Sequence, residues 1–284
     1  MATSPDRIDP PIADGLAGLP HANRVRKVST AAPFLWLLSG WQDFRRHKLL
    51  ALIYGMAFAG ISLFITAGLA LAGHSHLIAP MWGGFFIVGP ALTVGMYQIS
   101  RQTERGERPT LVSTVTAFRA NGYHILTTGA ILMLFMMIWV RIAVIIFALT
   151  FPYVSLSFGT MLEQALFTAQ GWGFLTFGSA VGLVFAGAAF TTGALSLPAM
   201  LDRRIDVFSA AALSAVAVFR NPKPMALWAA IIVSVVGGGM ATAYVGLVIA
   251  LPLIGFASWH AYRDIFVTDA EMAPAALAIS GEDH

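Results

Sequence analysis

LLALIYGMAFAGISLFITAGLALA, residues 49–72, decides the fold. It is a charge-free run longer than the roughly 20 helical residues that cross a bilayer's hydrocarbon core. The run is part of a larger pattern, because the fifty-two residues between Lys48 and Arg101 carry no charge. Residues 164–201 and 224–262 are charge-free as well. Over all 284 residues, 57% are hydrophobic and 11% charged, against about 45–50% and 25% in soluble domains. Backbone groups left unsatisfied in lipid are costly, so only helices or closed barrels cross it. No ten-residue alternation of the barrel kind runs through the chain. The sequence therefore describes an all-α polytopic membrane protein, and excludes a secreted disulfide module, a nucleotide-binding α/β enzyme and a nucleic-acid binder.

Four spans read directly, over 49–72, 80–99, 123–149 and 172–197. The block 225–262 would be about 57 Å long as one helix at 1.5 Å per residue, so it is expected to fold as a hairpin. The glycines at 237–239 offer a place for the break or for close packing. Six transmembrane helices result. Sixteen of the seventeen Lys and Arg residues lie in the N-terminal segment, the 101–119 and 203–223 loops, or the C-terminal end. By the positive-inside rule those segments and both termini face the cytoplasm. A single membrane domain over 24–266 is expected between flexible tails at 1–23 and 267–284. The first tail, rich in acids and prolines, lacks the layout of a signal peptide.

Three short apolar segments precede the odd-numbered spans, at 33–44, 110–119 and 206–219. They read as interfacial helices, with Thr110 and Asp206 as N-caps. Each closes on the same dipeptide: Phe44-Arg45, Phe118-Arg119 and Phe219-Arg220. Pro90, Tyr97 and Arg101 share the spacing of Pro252, Trp259 and Arg263, while the fourth span ends on Pro198 and Asp202-Arg203-Arg204. Three parallel units follow, over about 33–100, 109–202 and 206–264, each an interfacial helix and a hairpin. On this reading the arginines snorkel to headgroups or cap helix C-termini, Tyr97 and Trp259 join an aromatic belt, with His260 and Tyr262 in a polar girdle beside them, and the prolines kink their helices.

Arg141 is the one basic residue inside a span, and a charge there marks a functional or pairing position. From the outer half of its span Arg141 is expected to snorkel outward or to pair with Glu163, the one acid on the outer side. The histidines at 74, 76, 124 and 260 lie near helix ends, too scattered for a metal or haem site. With no cysteine, no phosphate-binding loop and no hydrolase or protease signature, no cofactor, metal or catalytic residue is expected. Gly178 and Gly182, and Gly55 with Ala59, form small-residue faces for close helix packing, within the bundle or in a homo-oligomer.

The stretches WQDFRRH (41–47), GPALTVGMYQISRQTERGE (89–107), LSLPAMLDRRID (195–206) and GFASWHAYRDIF (255–266) resemble the predicted integral membrane proteins catalogued as domain of unknown function 2189, found mainly in proteobacteria. The resemblance runs from about Val25 to Phe266 and implies a bacterial inner membrane. Names within that family hint at a cytochrome oxidase subunit, which makes a respiratory complex one partner to consider. The expected function is a non-catalytic accessory, assembly or scaffold component beside another integral membrane protein. The alternative is a channel or transporter for a small solute.

Overall fold

The computed structural model describes residues 25–151, 158–203 and 205–266. The expected tails, 1–23 and 267–284, lie outside them, as does Arg24. Among the described residues are twelve α-helices. Helix α1 spans Ala32–Arg46 and α2 spans Lys48–Leu71. A short turn leads to α3 (Ile78–Leu92) and α4 (Val94–Glu104). The second unit comprises α5 (Leu111–Val115), α6 (Gly122–Thr150), α7 (Phe158–Phe167), α8 (Ala169–Gly193) and α9 (Ser196–Asp202). The third holds α10 (Val207–Arg220), α11 (Pro222–Ala241) and α12 (Leu247–Ile265).

Five helical stretches are long and apolar enough to cross a membrane: Lys48–Leu71, Ser75–Glu104, Ala117–Thr150, Ala169–Asp202 and Pro222–Ala241. The protein is thus a multi-pass integral membrane protein. The sixth expected span falls on α12, which stands apart. Its second half carries Trp259, His260, Tyr262, Arg263 and Asp264, yet it holds more buried residues than any other described helix. α1, α2, α4 and α11 all pack against it. Polarity that would be costly against lipid is tolerable there, because neighbouring helices supply its partners.

Close approach to α12 depends on glycines. A Cβ on Gly40 of α1 would lie 2.6 Å from the backbone nitrogen of Ala257, and one on Gly255 would lie 2.7 Å from Cβ of Met96. A Cβ on Gly55 of α2 would collide with the carbonyl oxygen of Val248. That carbonyl is the one Pro252, lacking an N–H, leaves without its usual helical donor. The face Ala51, Gly55 and Ala59 of α2 is buried throughout, so this small-residue surface builds the bundle itself. The first unit is splayed: α2 lies on α12 while α3 lies on α6, and the two hardly touch each other.

Several local expectations meet a definite answer. Thr110 caps α5 in a reciprocal box with Ser113, and Asp206 caps α10 through the amides of Phe208 and Ser209. Pro90 precedes a break at Thr93 that separates α3 from α4, whereas α12 runs through Pro252 unbroken. The last hairpin turns at 242–246, and not at 237–239, which lie within α11. Gly239 serves instead for close packing, since a Cβ there would meet Leu247 and Ala250 at 2.9 and 3.0 Å.

The turn places Ala243 and Tyr244 at φ +52° and +67°, a region that residues with a Cβ seldom occupy. Tyr244 is held there by its hydroxyl, which lies 2.6 Å from Thr66 Oγ1 and accepts from Trp82 Nε1 at 2.7 Å. One phenol thereby ties the turn to the far ends of α2 and α3. Tyr244→Phe is expected to lower the thermal midpoint by the equivalent of about 1–3 kcal/mol, the cost of leaving the indole donor unsatisfied. A melt in detergent checks it, with Tyr123→Phe, an exposed position, as the neutral control.

Candidate functional site

The most concentrated chemistry lies where α4, α9 and the second half of α12 converge. Each contributes a helix C-terminus, which carries a partial negative charge and favours cations beside it. Arg101 sits in the last turn of α4 and Arg263 in the last turn of α12. Asp202, at the end of α9, takes up the middle. One of its oxygens lies 3.7 Å from Arg101 Nε and 3.6 Å from Arg105, and the other 3.7 Å from Arg263. Tyr262 donates its hydroxyl to Asp202 at 3.0 Å and accepts from Arg203 Nε at 3.0 Å. Glu104 closes the ring, 3.2 Å from Arg263 Nε, and accepts from the indole of Trp259 at 2.9 Å. The side chains of Asp202 and Arg101 are each only 17% exposed.

A second polar group adjoins it under α1. One Asp43 oxygen accepts from Ser100 Oγ at 2.5 Å and meets His260 Nε2 at 2.9 Å. His47 Nε2 lies 2.8 Å from Thr103 Oγ1, whose own proton goes to the carbonyl of Ile99. The His47 ring nitrogen is then the donor. Trp36, in the same helix as Asp43, donates to Asp264 at 2.8 Å. Burial raises the Asp43 carboxyl, but the donors from His260 and Ser100 outweigh it and hold the group below its ordinary 3.8. Burial pushes His47 below its ordinary 6.5, with Arg46 helping and Asp43 opposing.

These shifts have the same sign in their effect on folding. A histidine harder to protonate when folded favours the fold above pH 6.5, and withdraws that support as pH falls through this value. Asp43, more readily ionised when folded, withdraws its share below 3.8. The thermal midpoint is therefore expected to decline on acidification from about 6.5, with a second decline below 3.8. His47→Gln should weaken the upper decline more than the lower one. A midpoint indifferent to pH from 7 down to about 4 would contradict this.

Several aromatic and basic positions are placed differently from their sequence expectation. Tyr97, Trp259 and Tyr262 form no belt or girdle, because all are in the core, at 1%, 0% and 0% exposure. Arg101 and Arg263 sit in the last turns of α4 and α12, where a helix C-terminus favours them, and turn inward to carboxylates because three converging helix ends and Asp202 offer closer partners than headgroups would. His260 joins Asp43. The repeated dipeptides occupy unlike settings. Phe44 is buried and stacked on Trp41, Phe118 is half-buried, and Phe219 is exposed. Arg45 and Arg119 are exposed, whereas Arg220 donates to the carbonyl of Val25 at 3.1 Å.

Arg141 and Glu163 are both exposed, and no ion pair or hydrogen bond joins them among the described residues. Trp139, Ala143 and Ile146 face an internal space; Arg141, two residues past Trp139, projects from the other side of α6. That space, of about 520 Å³, lies between α3, α6 and α8. A second, of about 200 Å³, extends it between α8 and α11 toward Thr93, Tyr97 and Ser258. The His74 and His76 rings meet edge to face at 5.9 Å. Among the described residues no three potential metal ligands gather.

The signal for the charged cluster was present in the sequence. An acid stands within three residues of each terminal arginine, as Arg101 with Glu104, Asp202 with Arg203, and Arg263 with Asp264. Alternating signs at the ends of α4, α9 and α12 indicate mutual pairing more than exposure to headgroups.

Residues 77–202 match the family of predicted integral membrane proteins known as DUF2189. The match takes in GPALTVGMYQISRQTERGE and most of LSLPAMLDRRID, while WQDFRRH and GFASWHAYRDIF fall outside it. No curated protein and no solved structure matches the chain.

Proposed function

We propose that the protein is a non-catalytic component of a bacterial inner membrane, acting as an accessory, assembly or scaffold subunit of a larger membrane complex. In this reading α12 is a sixth span, and the end bearing the Asp202 cluster faces the cytoplasm with both termini. The positive-inside rule supports that orientation. The observation that carries the functional reading is the distribution of polarity. The charged groups of the convergence zone are engaged with one another, as in a structural lock, and the internal spaces are walled almost entirely by apolar side chains. A path for an ion or polar solute needs charged or hydrogen-bonding groups along its length. Arg141, the residue that motivates a channel or transporter, lines neither space.

The outward face of α8 offers a partner the most surface. Trp172, Phe177 and Val184 are each at least 62% exposed, and the most apolar window of that span is only 6% buried. Cross-linking in intact membranes from photoreactive residues at 172, 177 and 184, followed by mass spectrometry, tests the reading. One integral membrane protein, or a second copy of the chain, should be captured reproducibly from all three sites. A chain that stays monomeric and uncross-linked would overturn it.

A further inference from the structure

The two internal spaces form a single groove, since Phe86, Leu183, Ala186 and Val233 line both. Along α3 and α4 the groove extends from Pro80 to Tyr97, about 25 Å at 1.5 Å per residue. It exists because α8 packs on α3, α6 and α10 but hardly touches α11. Along α8 small residues, Gly178, Ser179, Ala186 and Gly187, alternate at the gap with larger ones such as Phe174, Leu183 and Phe190, and the small ones leave it unfilled. A Cβ added at Gly178 or Gly187 would meet nothing within 4 Å. Leu183, 73% exposed, stands at the rim, so the groove opens sideways from the bundle. At its inner end Thr93 donates to the Tyr97 hydroxyl at 2.7 Å, beside Ser258.

The possible occupants differ in size and polarity. Water requires two to four polar partners, and the long wall of the groove has Ser179 as its sole hydroxyl-bearing side chain. A transmembrane helix is about 10 Å across, so the larger space, 520 Å³, would house only about 7 Å of one. A volume of 520 Å³ does lie within the range, about 300–1,000 Å³, of pockets that enclose most of a small ligand. Apart from Leu251, Ile254 and Ser258 of α12 at the inner end, the walls belong to the five long apolar stretches, so the medium at the rim is lipid hydrocarbon. We propose that the groove between α8 and α11 seats one acyl chain of a membrane phospholipid. The glycerol end lies at the level of Pro80, and the chain runs inward to the Thr93–Tyr97 hydroxyls.

Native mass spectrometry of the protein released from mild detergent tests this. The expected result is one phospholipid retained per chain, lost in Gly178→Leu and in Ala186→Phe, both of which fill the groove from α8. Folding is controlled by the melting curve and elution volume of each variant. The wild type gives an independent readout in phosphatidylethanolamine–phosphatidylglycerol vesicles containing a phospholipid with a diazirine near its acyl terminus. Adducts should appear on Ala186, Ile232 and Val233. Adducts confined to outward positions such as Phe177 and Val184 would overturn the proposal. So would a wild type that retains no phospholipid, a filled variant that keeps it, or a second protein copy found in its place.

Discussion

Asp202→Asn is expected to destabilise the folded chain by about 2–3 kcal/mol, less than the roughly 3–5 kcal/mol of breaking a fully buried ion pair because these side chains are partly exposed. The substitution keeps the size of the side chain and an acceptor for Tyr262, so the loss reports charge alone. Arg101, Arg105 and Arg263 would then face one another around a neutral amide, with Glu104 left as the nearby carboxylate. Arg105, half exposed at 49%, can swing into water, but Arg101 is held at 17%. Asp206→Asn is the matched control, since asparagine caps a helix about as well as aspartate and Asp206 stands outside the cluster. Melting curves of both variants in the same detergent and salt decide the matter. Equal midpoints for Asp202→Asn and wild type would mean the three arginines do not depend on that carboxylate.

Gly55→Ala is expected to cost about 3 kcal/mol or more, at or above the upper end of ordinary overpacking. The added methyl meets the Val248 carbonyl of α12, and backbone cannot rotate away as a flexible side chain does. α2 would have to withdraw along the face it shares with α12, exposing Ala51 and Ala59 as well. Gly60→Ala in the same helix is the comparison: nothing lies within 4 Å of its Cβ, and alanine gains up to about 1 kcal/mol of helix propensity over glycine. Opposite shifts from two methyl groups one and a half turns apart would identify the α2–α12 seam as the cause. Parallel shifts would refute it.

The spans were legible because crossing a bilayer demands a property that composition displays directly, about twenty apolar residues without charge. The caps at Thr110 and Asp206 were legible for a similar reason, because a hydroxyl or carboxylate ahead of an apolar run acts locally. Which helix stands in the middle was not legible. Hydropathy ranks α12 below the five other stretches, because a helix sheathed by its neighbours is released from the requirement to be apolar. Tyr97 and Trp259 misled for the same reason: an aromatic residue near a helix end suits a headgroup belt and a tight core equally well, and only the packing of α1 and α9 over them decides. The turn at 242–246 escaped because Ala243 and Tyr244 hold a conformation usually given to glycine, while three real glycines stood a few residues earlier. In the charged cluster, Arg101, Asp202 and Arg263 are separated by about a hundred and sixty residues of sequence, so spacing alone could not bring them together.

The position of α12 also bears on the order in which the structure is made. Every other described helix precedes it in the chain, yet it forms the centre on which α1, α2 and α4 rest. The contact of Trp36 with Asp264 joins positions 228 residues apart, and α1 has no such partner until α12 has been synthesised. Chains grow from the N-terminus at about 5–20 residues per second, so for roughly ten seconds or more the earlier helices wait in the membrane around a vacant axis. Gly40 and Gly55 remain open to any passing apolar helix during that interval. The faces around those two glycines are thus completed only when the last of the described helices has been made.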